Sequence, residues 1–201
     1  MVKASKTSIA LEAQVGLNLS GFMGTVALFF TGILIAQLNN FDKSIKIPII
    51  LLVISTFAFL FSAVVYSNAT GLLTSNKTLK ATRYILVGNS LSEFLGLYLF
   101  VASVPMVIIS ISQDQFLRIA ISFITIFCLF IYSLSQYSIF KRSFSRFTDI
   151  AFSFLILLTS SAMYFSQLDN NKVFPYLACA LLLILILAAL FSNELKVRDK
   201  K

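Results

Sequence analysis

The stretch "RYILVGNSLSEFLGLYLF", residues 83–100, has the apolar character of a membrane helix but contains one carboxylate, Glu93. It belongs to an apolar tract that runs from Tyr84 to Ser112. As an α-helix this tract measures about 43 Å, which exceeds a hydrocarbon core of about 30 Å. Such tracts predict transmembrane helices, because lipid offers no partner to an unpaired backbone group. A membrane barrel is excluded, since barrel strands alternate polar and apolar residues.

The whole chain has the composition of a multi-pass membrane protein. Of its 201 residues 58% are hydrophobic and 12% are charged, whereas soluble domains carry about 25% charged residues. Six apolar tracts each have about the 20 residues that cross a bilayer. We therefore predict one all-α integral membrane domain over residues 1–201, a polytopic helical bundle of about six transmembrane helices. The predicted spans are 17–38, 45–67, 84–112, 117–140, 147–168 and 173–192.

The connectors predict how the spans pair. Three short connectors read "QLNNFDKSIKIP", "SQDQF" and "QLDNNKVFP", and each joins two spans as a tight hairpin. Three helical hairpins are therefore expected. The longest connector, residues 68–83, is predicted to form a short interfacial helix after "TSN", with Ser75 or Asn76 as its N-cap. A solvated loop is the alternative interpretation of this connector.

The basic residues predict the orientation of the chain. All but four of the 16 lysines and arginines lie in the two termini and in the second and fourth connectors. By the positive-inside rule, both termini face the cytoplasm and the protein lies in the cell membrane. The same basic loops are expected to contact anionic lipid headgroups. Nucleic acid is a poor partner, because the basic residues are not gathered on one folded face.

The residue inventory argues against most enzyme chemistry. The chain has no histidine, so haem and metal sites built on imidazole and histidine-dependent triads are excluded. Cys128 and Cys179 lie inside apolar tracts, and they are predicted to be small buried hydrophobic residues and not a disulfide or redox pair. No phosphate-binding loop or nucleophile elbow occurs. We predict a protein that is not an enzyme and has no cofactor or metal.

Polar residues at helical spacing inside the spans mark candidate functional positions. Polar groups in a span usually face the bundle interior or a water-filled path. The candidates for a substrate or ion path are Glu93, Asn89, Ser92, Asp149 and Gln136. Asp149 also fits a structural role, because a negative charge in the first turn favours a helix N-terminus.

Two interpretations of Glu93 stay open. If Ser112 and Asp114 hold the outer end of the third span, about 20 residues reach back to Glu93, and the carboxylate lies at the inner interface. If the span begins at Tyr84, the carboxylate lies about 15 Å deep. An ionised acid at that depth costs about 2.5–3.5 kcal/mol unless it is paired or protonated.

The first span carries small residues that predict close helix contact. One side contains Asn18, Gly21, Thr25, Gly32 and Ala36, and this side is predicted to be the packing face. Ser20 and Gly24 add a pair of small residues four positions apart.

Two functions are consistent with this pattern. The first is a small channel or permease subunit for an ion or small solute, with the path formed within or between protomers of a homo-oligomer. The alternative is a non-catalytic accessory or structural subunit that packs against a partner membrane protein and uses its polar groups as helix–helix hydrogen bonds. A conduit predicts a hydrated path that reaches Glu93. An accessory subunit predicts a dry centre and an exposed groove along the third or fifth span.

Overall fold

The computed structural model describes residues 6–41, 45–135, 151, 154–162, 165 and 173–198, and all regular structure in these ranges is helical. The helices are α1 (Lys6–Ala36), α2 (Lys46–Thr74), α3 (Thr78–Ser90), α4 (Leu99–Ile111), α5 (Gln115–Ser135), α6 (154–162) and α7 (Val173–Arg198). A 3-10 turn, Leu38–Asn40, follows α1, and a π-helix, Leu91–Tyr98, joins α3 to α4. The predicted all-α fold class is confirmed for the described residues.

Within the part of the chain that the structure describes, three helices are long and apolar enough to cross a membrane. They cover Thr7–Ala36, Lys46–Thr74 and Thr78–Ile111, with mean hydropathies of 2.0, 2.5 and 2.3. Gln115–Cys128 and Tyr176–Leu185 are shorter apolar helices. The chain is therefore consistent with a membrane protein, while the number of six spans stays a prediction. The predicted burial of Cys128 and Cys179 is wrong, because both side chains lie on exposed faces of the two shorter helices.

Helix α2 lies between α1 on one side and the continuous α3–π–α4 helix on the other. Leu34, Ile45 and Leu52 pack together at the end of the bundle that holds the α1–α2 turn, and Val107 of α4 packs against them. We call this the outer end, after the predicted topology. At the opposite, inner end, Ala13 of α1 packs with residues of α2 and α3.

Two aromatic rings of α2 fill notches made by glycines on the neighbouring helices. The Tyr66 ring lies so close to Gly16 of α1 and Gly88 of α3 that neither glycine could carry a Cβ without a shift. The Phe59 ring lies against Gly96 of the π-helix in the same way. Because both rings are only 2% exposed, they fix the separation between α2 and its neighbours.

The predicted packing face of α1 is not the face that contacts α2. Asn18, Thr25, Gly32 and Ala36 are exposed in the structure, and a Cβ at Gly21 or Gly32 would meet nothing within 4 Å. The face that contacts α2 instead contains the pair Ser20 and Gly24, both of which are buried. The opposite face of α1 exposes large apolar side chains such as those of Phe22, Leu28 and Phe29.

The connector between α2 and α3 is much shorter than the sequence predicted. Helix α2 continues to Thr74 and α3 begins at Thr78. The N–H of Lys77 donates to the carbonyl of Leu72 (3.0 Å), and the N–H of Asn76 donates to the carbonyl of Leu73 (3.2 Å). This pair of bonds is a Schellman motif, with Asn76 in the left-handed region at φ 58°. The predicted N-cap is therefore also wrong: the N-cap of α3 is Lys77, and it makes no side-chain cap hydrogen bond.

The positive φ of Asn76 yields a stability prediction. Asn76→Val should be less stable than Asn76→Gly by about 1–2 kcal/mol, because a β-branched side chain is strained in the left-handed region. Thermal unfolding in detergent micelles, followed by circular dichroism, measures the difference. Asn68→Val, on an exposed helical position of α2, is the control and should change stability by less than about 0.5 kcal/mol. Equal stability of the Val and Gly variants at position 76 would contradict the argument.

Hydrogen bonds to the ends of both α4 and α5 stabilise the turn between these helices. The Asp114 carboxylate accepts hydrogen bonds from the N–H groups of Phe116 (2.9 Å) and Leu117 (3.4 Å) and so caps the N-terminus of α5. Arg118 reaches back to the end of α4, where Nε donates to the carbonyl of Ser112 (2.6 Å) and Nη2 to that of Ile109 (2.9 Å). The two helices are thereby joined as the tight hairpin that the sequence predicted.

Candidate functional site

The π-helix Leu91–Tyr98 contains Glu93, the single carboxylate of the stretch 83–100. Segments of π-helix are rare and are frequently found at functional sites. The carbonyls of two glycines, one before and one within this segment, accept hydrogen bonds from α2: the Ser62 hydroxyl donates to Gly88 (2.8 Å) and the Ser55 hydroxyl to Gly96 (2.7 Å). The missing side chains of these glycines allow α2 to approach closely enough for both bonds.

A set of polar side chains from three helices meets at the inner end of the bundle, and we call it the inner polar cluster: Glu12, Tyr66, Asn89, Ser92 and Glu93. Asn89 is central, because its Nδ2 donates to Glu12 Oε1 (3.1 Å) and its Oδ1 accepts from the Tyr66 hydroxyl (2.5 Å). The Ser92 hydroxyl lies 3.5 Å from that of Tyr66 and donates to the Asn89 carbonyl at 3.2 Å. The cluster therefore links α1, α2 and the α3–π junction.

Glu93 takes part in the inner polar cluster through its charge. Its side chain is half-buried, and its carboxylate interacts electrostatically with the Tyr66 hydroxyl, as does that of Glu12. Two acids from different helices thus act on one buried phenol. The charge of the cluster is negative whenever either acid is ionised, which favours a proton or a cation as its ligand.

The ligand groups of the inner polar cluster limit the kinds of cation that it could bind. Among the described residues, no three His, Cys, Asp or Glu side chains come together as metal ligands. The cluster instead combines two carboxylates with neutral oxygens from a phenol, an amide and a hydroxyl. Such oxygen groups suit a hard cation or a transferable proton better than a soft metal, which prefers thiolate ligands.

Buried hydroxyls continue from the inner polar cluster toward the outer end. The Ser20 hydroxyl of α1 donates to Ser62 Oγ at 3.3 Å, and Ser62 in turn binds the Gly88 carbonyl. Ser20, Ser55 and Ser62 are at most 1% exposed. These hydroxyls are used as helix–helix hydrogen bonds, and they leave the α1–α2–α3 contact closed at this level in the structure.

The structure describes three of the five residues predicted from the sequence. It brings Asn89, Ser92 and Glu93 together around Tyr66, whereas Asp149 and Gln136 lie outside the described residues. Sequence reasoning missed Glu12, because the first predicted span begins only at residue 17. The missed signal is that the run from Lys6 to Val15 contains no glycine or proline, so α1 can extend below its apolar span and carry Glu12 to Asn89.

No family model, curated protein or solved structure matches this chain.

Proposed function

We propose that this protein is a small channel or permease subunit of the cell membrane that moves a proton or a small cation. The observation that carries the proposal is the inner polar cluster, in which Glu12 and Glu93 flank the hydrogen-bonded pair Tyr66 and Asn89 at a π-helix. Chains of acids and hydrogen-bonding groups inside membrane proteins typically mark proton relays or ion pathways. In this proposal the path forms within or between protomers of a homo-oligomer, and both termini face the cytoplasm.

The position of the cluster along the helices supports a role as an entrance. Glu12 lies about 24 residues, or roughly 36 Å, from the outer end of α1 at Ala36, and Tyr66 lies about 20 residues, or roughly 30 Å, from Lys46. Asn89 lies about 22 residues from Ile111, or roughly 33 Å. Since a hydrocarbon core is about 30 Å thick, three helices bring their polar groups to the inner boundary of a bilayer that begins at the outer end. Glu93 itself lies about 18 residues, or roughly 27 Å, from Ile111, close to the same boundary, and this favours the interfacial interpretation of its carboxylate.

At the cytoplasmic interface of the membrane, the inner polar cluster can exchange a proton or a cation with the aqueous phase. A proton or cation that arrives from the cytoplasm would meet Glu12 first. Asn89 and Tyr66 would offer the next oxygens, and Glu93 lies one turn beyond Asn89 toward the bundle interior. The closed hydroxyl contact above the cluster, formed by Ser20 and Ser62, then has to open for passage. The path therefore needs a rearrangement of α1 against α2, which is the way gated transporters expose a site to alternate sides.

A second candidate function is supported by that same closed contact. Ser20, Ser55 and Ser62 are fully used in hydrogen bonds between helices, as expected for a structural or accessory subunit with a dry centre. In this alternative the inner polar cluster serves to hold α1 against α3, and the protein stabilises a partner membrane complex.

Flux through reconstituted vesicles distinguishes the two functions. We expect vesicles with the wild-type protein to dissipate a proton, sodium or potassium gradient, and Glu93→Gln to reduce the rate by about tenfold or more, since it removes the charge and keeps the shape. Glu12→Gln should act in the same direction. The control is Gln14→Leu, because Gln14 is an exposed residue on the same helix as Glu12 and should leave the rate unchanged.

Wild-type vesicles that stay tight to all three cations would contradict the transport proposal and favour the accessory subunit. A protonophore, or an ionophore for sodium or potassium in the runs with those cations, added at the end of each run shows that the vesicles are sealed and hold the gradient. Thermal unfolding of each variant separates loss of flux from loss of folding, because a folded Glu93→Gln protein without flux supports a role of the carboxylate in the path.

A further inference from the structure

We infer that a cavity near the outer end of the bundle binds the acyl chain of a membrane lipid. The cavity encloses about 210 Å³ between α1, α2 and α4. Its lining residues are Phe30, Leu34, Leu52, Phe100, Ser103, Val104, Val107 and Ile108. It is separate from the inner polar cluster, and the inference does not depend on whether the protein transports anything.

The walls of the cavity are well defined. The Phe30 ring of α1 packs edge-to-face on the Phe100 ring of α4, with centroids 6.2 Å apart. Leu34, Ile45 and Leu52 form a buried cluster at the outer end, and Phe100 and Val107 pack against it. The cavity is thus closed at the outer end by packed side chains, and it is held between helices that the glycine notches fix in place.

The mouth of the cavity faces the surroundings of the helices. Phe30 is 49% exposed and Val104 is 38% exposed, and both line the cavity. Both residues lie within helices that are long and apolar enough to cross a membrane, so hydrocarbon is the phase that we expect outside the mouth. The molecules that can enter from this phase are lipid tails.

The chemistry of the lining excludes polar ligands. Seven of its eight residues are apolar, and the eighth, Ser103, donates its hydroxyl to the Phe100 carbonyl at 2.6 Å. No charged residue of the lining could hold a headgroup. Apolar cavities of roughly 150 Å³ stay dry and bind small hydrocarbons, so a larger one of the same character accommodates a segment of an acyl chain. An empty cavity would forfeit the dispersion contacts that such a chain supplies.

Photolabelling with a phosphatidylcholine that carries a diazirine on one acyl chain tests the inference. In vesicles of this lipid, we expect adducts to concentrate on α1 and α4 at the lining residues, above the level found at exposed apolar residues of α2 such as Phe57 and Phe61. Val107→Phe fills the cavity and Val104→Phe closes its mouth, and each should lower labelling of the lining about fivefold or more. Val64→Phe, on a 58% exposed position of α2, is the matched control and should leave the labelling unchanged.

Two results would overturn the inference. One is labelling spread evenly over exposed apolar residues and unaffected by either variant, which indicates bulk lipid contact alone. The other is absence of label from the lining together with its protection by a second polypeptide, which indicates that protein covers the mouth. Val104→Phe keeps the test valid if Val107→Phe fails to fold, because a side chain at the mouth can turn outward into lipid.

Discussion

Gly96→Ala is expected to destabilise the folded protein by about 1–3 kcal/mol, the usual cost of overpacking a filled interior. A methyl group on Gly96 would lie 2.7 Å from Cε1 and 2.9 Å from Cζ of the Phe59 ring. The ring is 2% exposed, so it has little free space into which to move. The helices cannot separate without loss of the bond from the Ser55 hydroxyl to the Gly96 carbonyl.

The measurement is reversible unfolding in mixed micelles, followed by circular dichroism as the fraction of denaturing detergent rises. Gly21→Ala and Gly32→Ala on α1 are matched controls of opposite sign. An added Cβ at either position meets nothing within 4 Å, so alanine should stabilise the helix by about 0.5–1 kcal/mol through its higher helix propensity.

A double mutant tests the cause of the Gly96→Ala effect. Phe59→Leu shortens the side chain that the new methyl group meets, so the two changes together should cost less than the sum of the two single changes. Residues in direct contact usually show coupling energies of about 0.5–3 kcal/mol. Additive effects would show that the Gly96→Ala loss does not come from a clash with Phe59.

The helical architecture could be predicted from the sequence because a bilayer imposes a length on each apolar tract. The tracts beginning near Leu17, Ile45 and Tyr84 all correspond to long apolar helices in the structure. The ends of the helices were less predictable, because a helix can continue past the membrane with polar residues. Helix α1 already includes Lys6, and α2 continues through Asn68 to Thr74.

Only those residues of the candidate site that lie close together on one helix could be predicted from the sequence. Asn89, Ser92 and Glu93 have helical spacing, so their proximity follows from local geometry. The partner of Asn89 on α1, Glu12, lies 77 residues away in the chain, and one sequence carries no signal for such a contact. The π-helix was equally hidden, because "LSEFLGLY" has ordinary helix-forming residues and its conformation depends on how α2 packs against it.

The packing face of α1 shows a further limit of pattern reasoning. Small residues occur on two sides of this helix, and the larger stripe, with Gly21 and Gly32, predicts a contact with a neighbouring helix. In the structure the smaller pair, Ser20 and Gly24, faces α2, because Ser62 can bond to Ser20 and Phe59 needs the space at Gly24. Which of the two small-residue faces packs against α2 depends on the side chains of α2, and these belong to another part of the sequence.

Arg118→Met is expected to destabilise the folded protein by about 1.5–3 kcal/mol, the range for hydrogen bonds made by charged groups. The guanidinium binds the carbonyls of Ser112 and Ile109, which belong to the last turn of α4 and its C-cap. The last carbonyls of a helix have no partner within the helix, and a positive charge at that end also interacts favourably with the helix dipole. Methionine preserves the apolar stem of the side chain but supplies neither donor nor charge.

Two further variants separate charge from geometry at this turn. Arg118→Lys keeps the charge but cannot hold two carbonyls with a planar fork, so it should recover only part of the loss. Lys46→Met removes an exposed cation at the same outer end and should change stability by less than about 0.5 kcal/mol. Unfolding in mixed micelles measures all three variants. If Arg118→Lys is as stable as the wild type, charge at the helix end is sufficient and the two-carbonyl argument fails. If Lys46→Met lowers stability as much as Arg118→Met does, the loss reflects the removal of charge at the membrane boundary and has no specific origin in the hairpin.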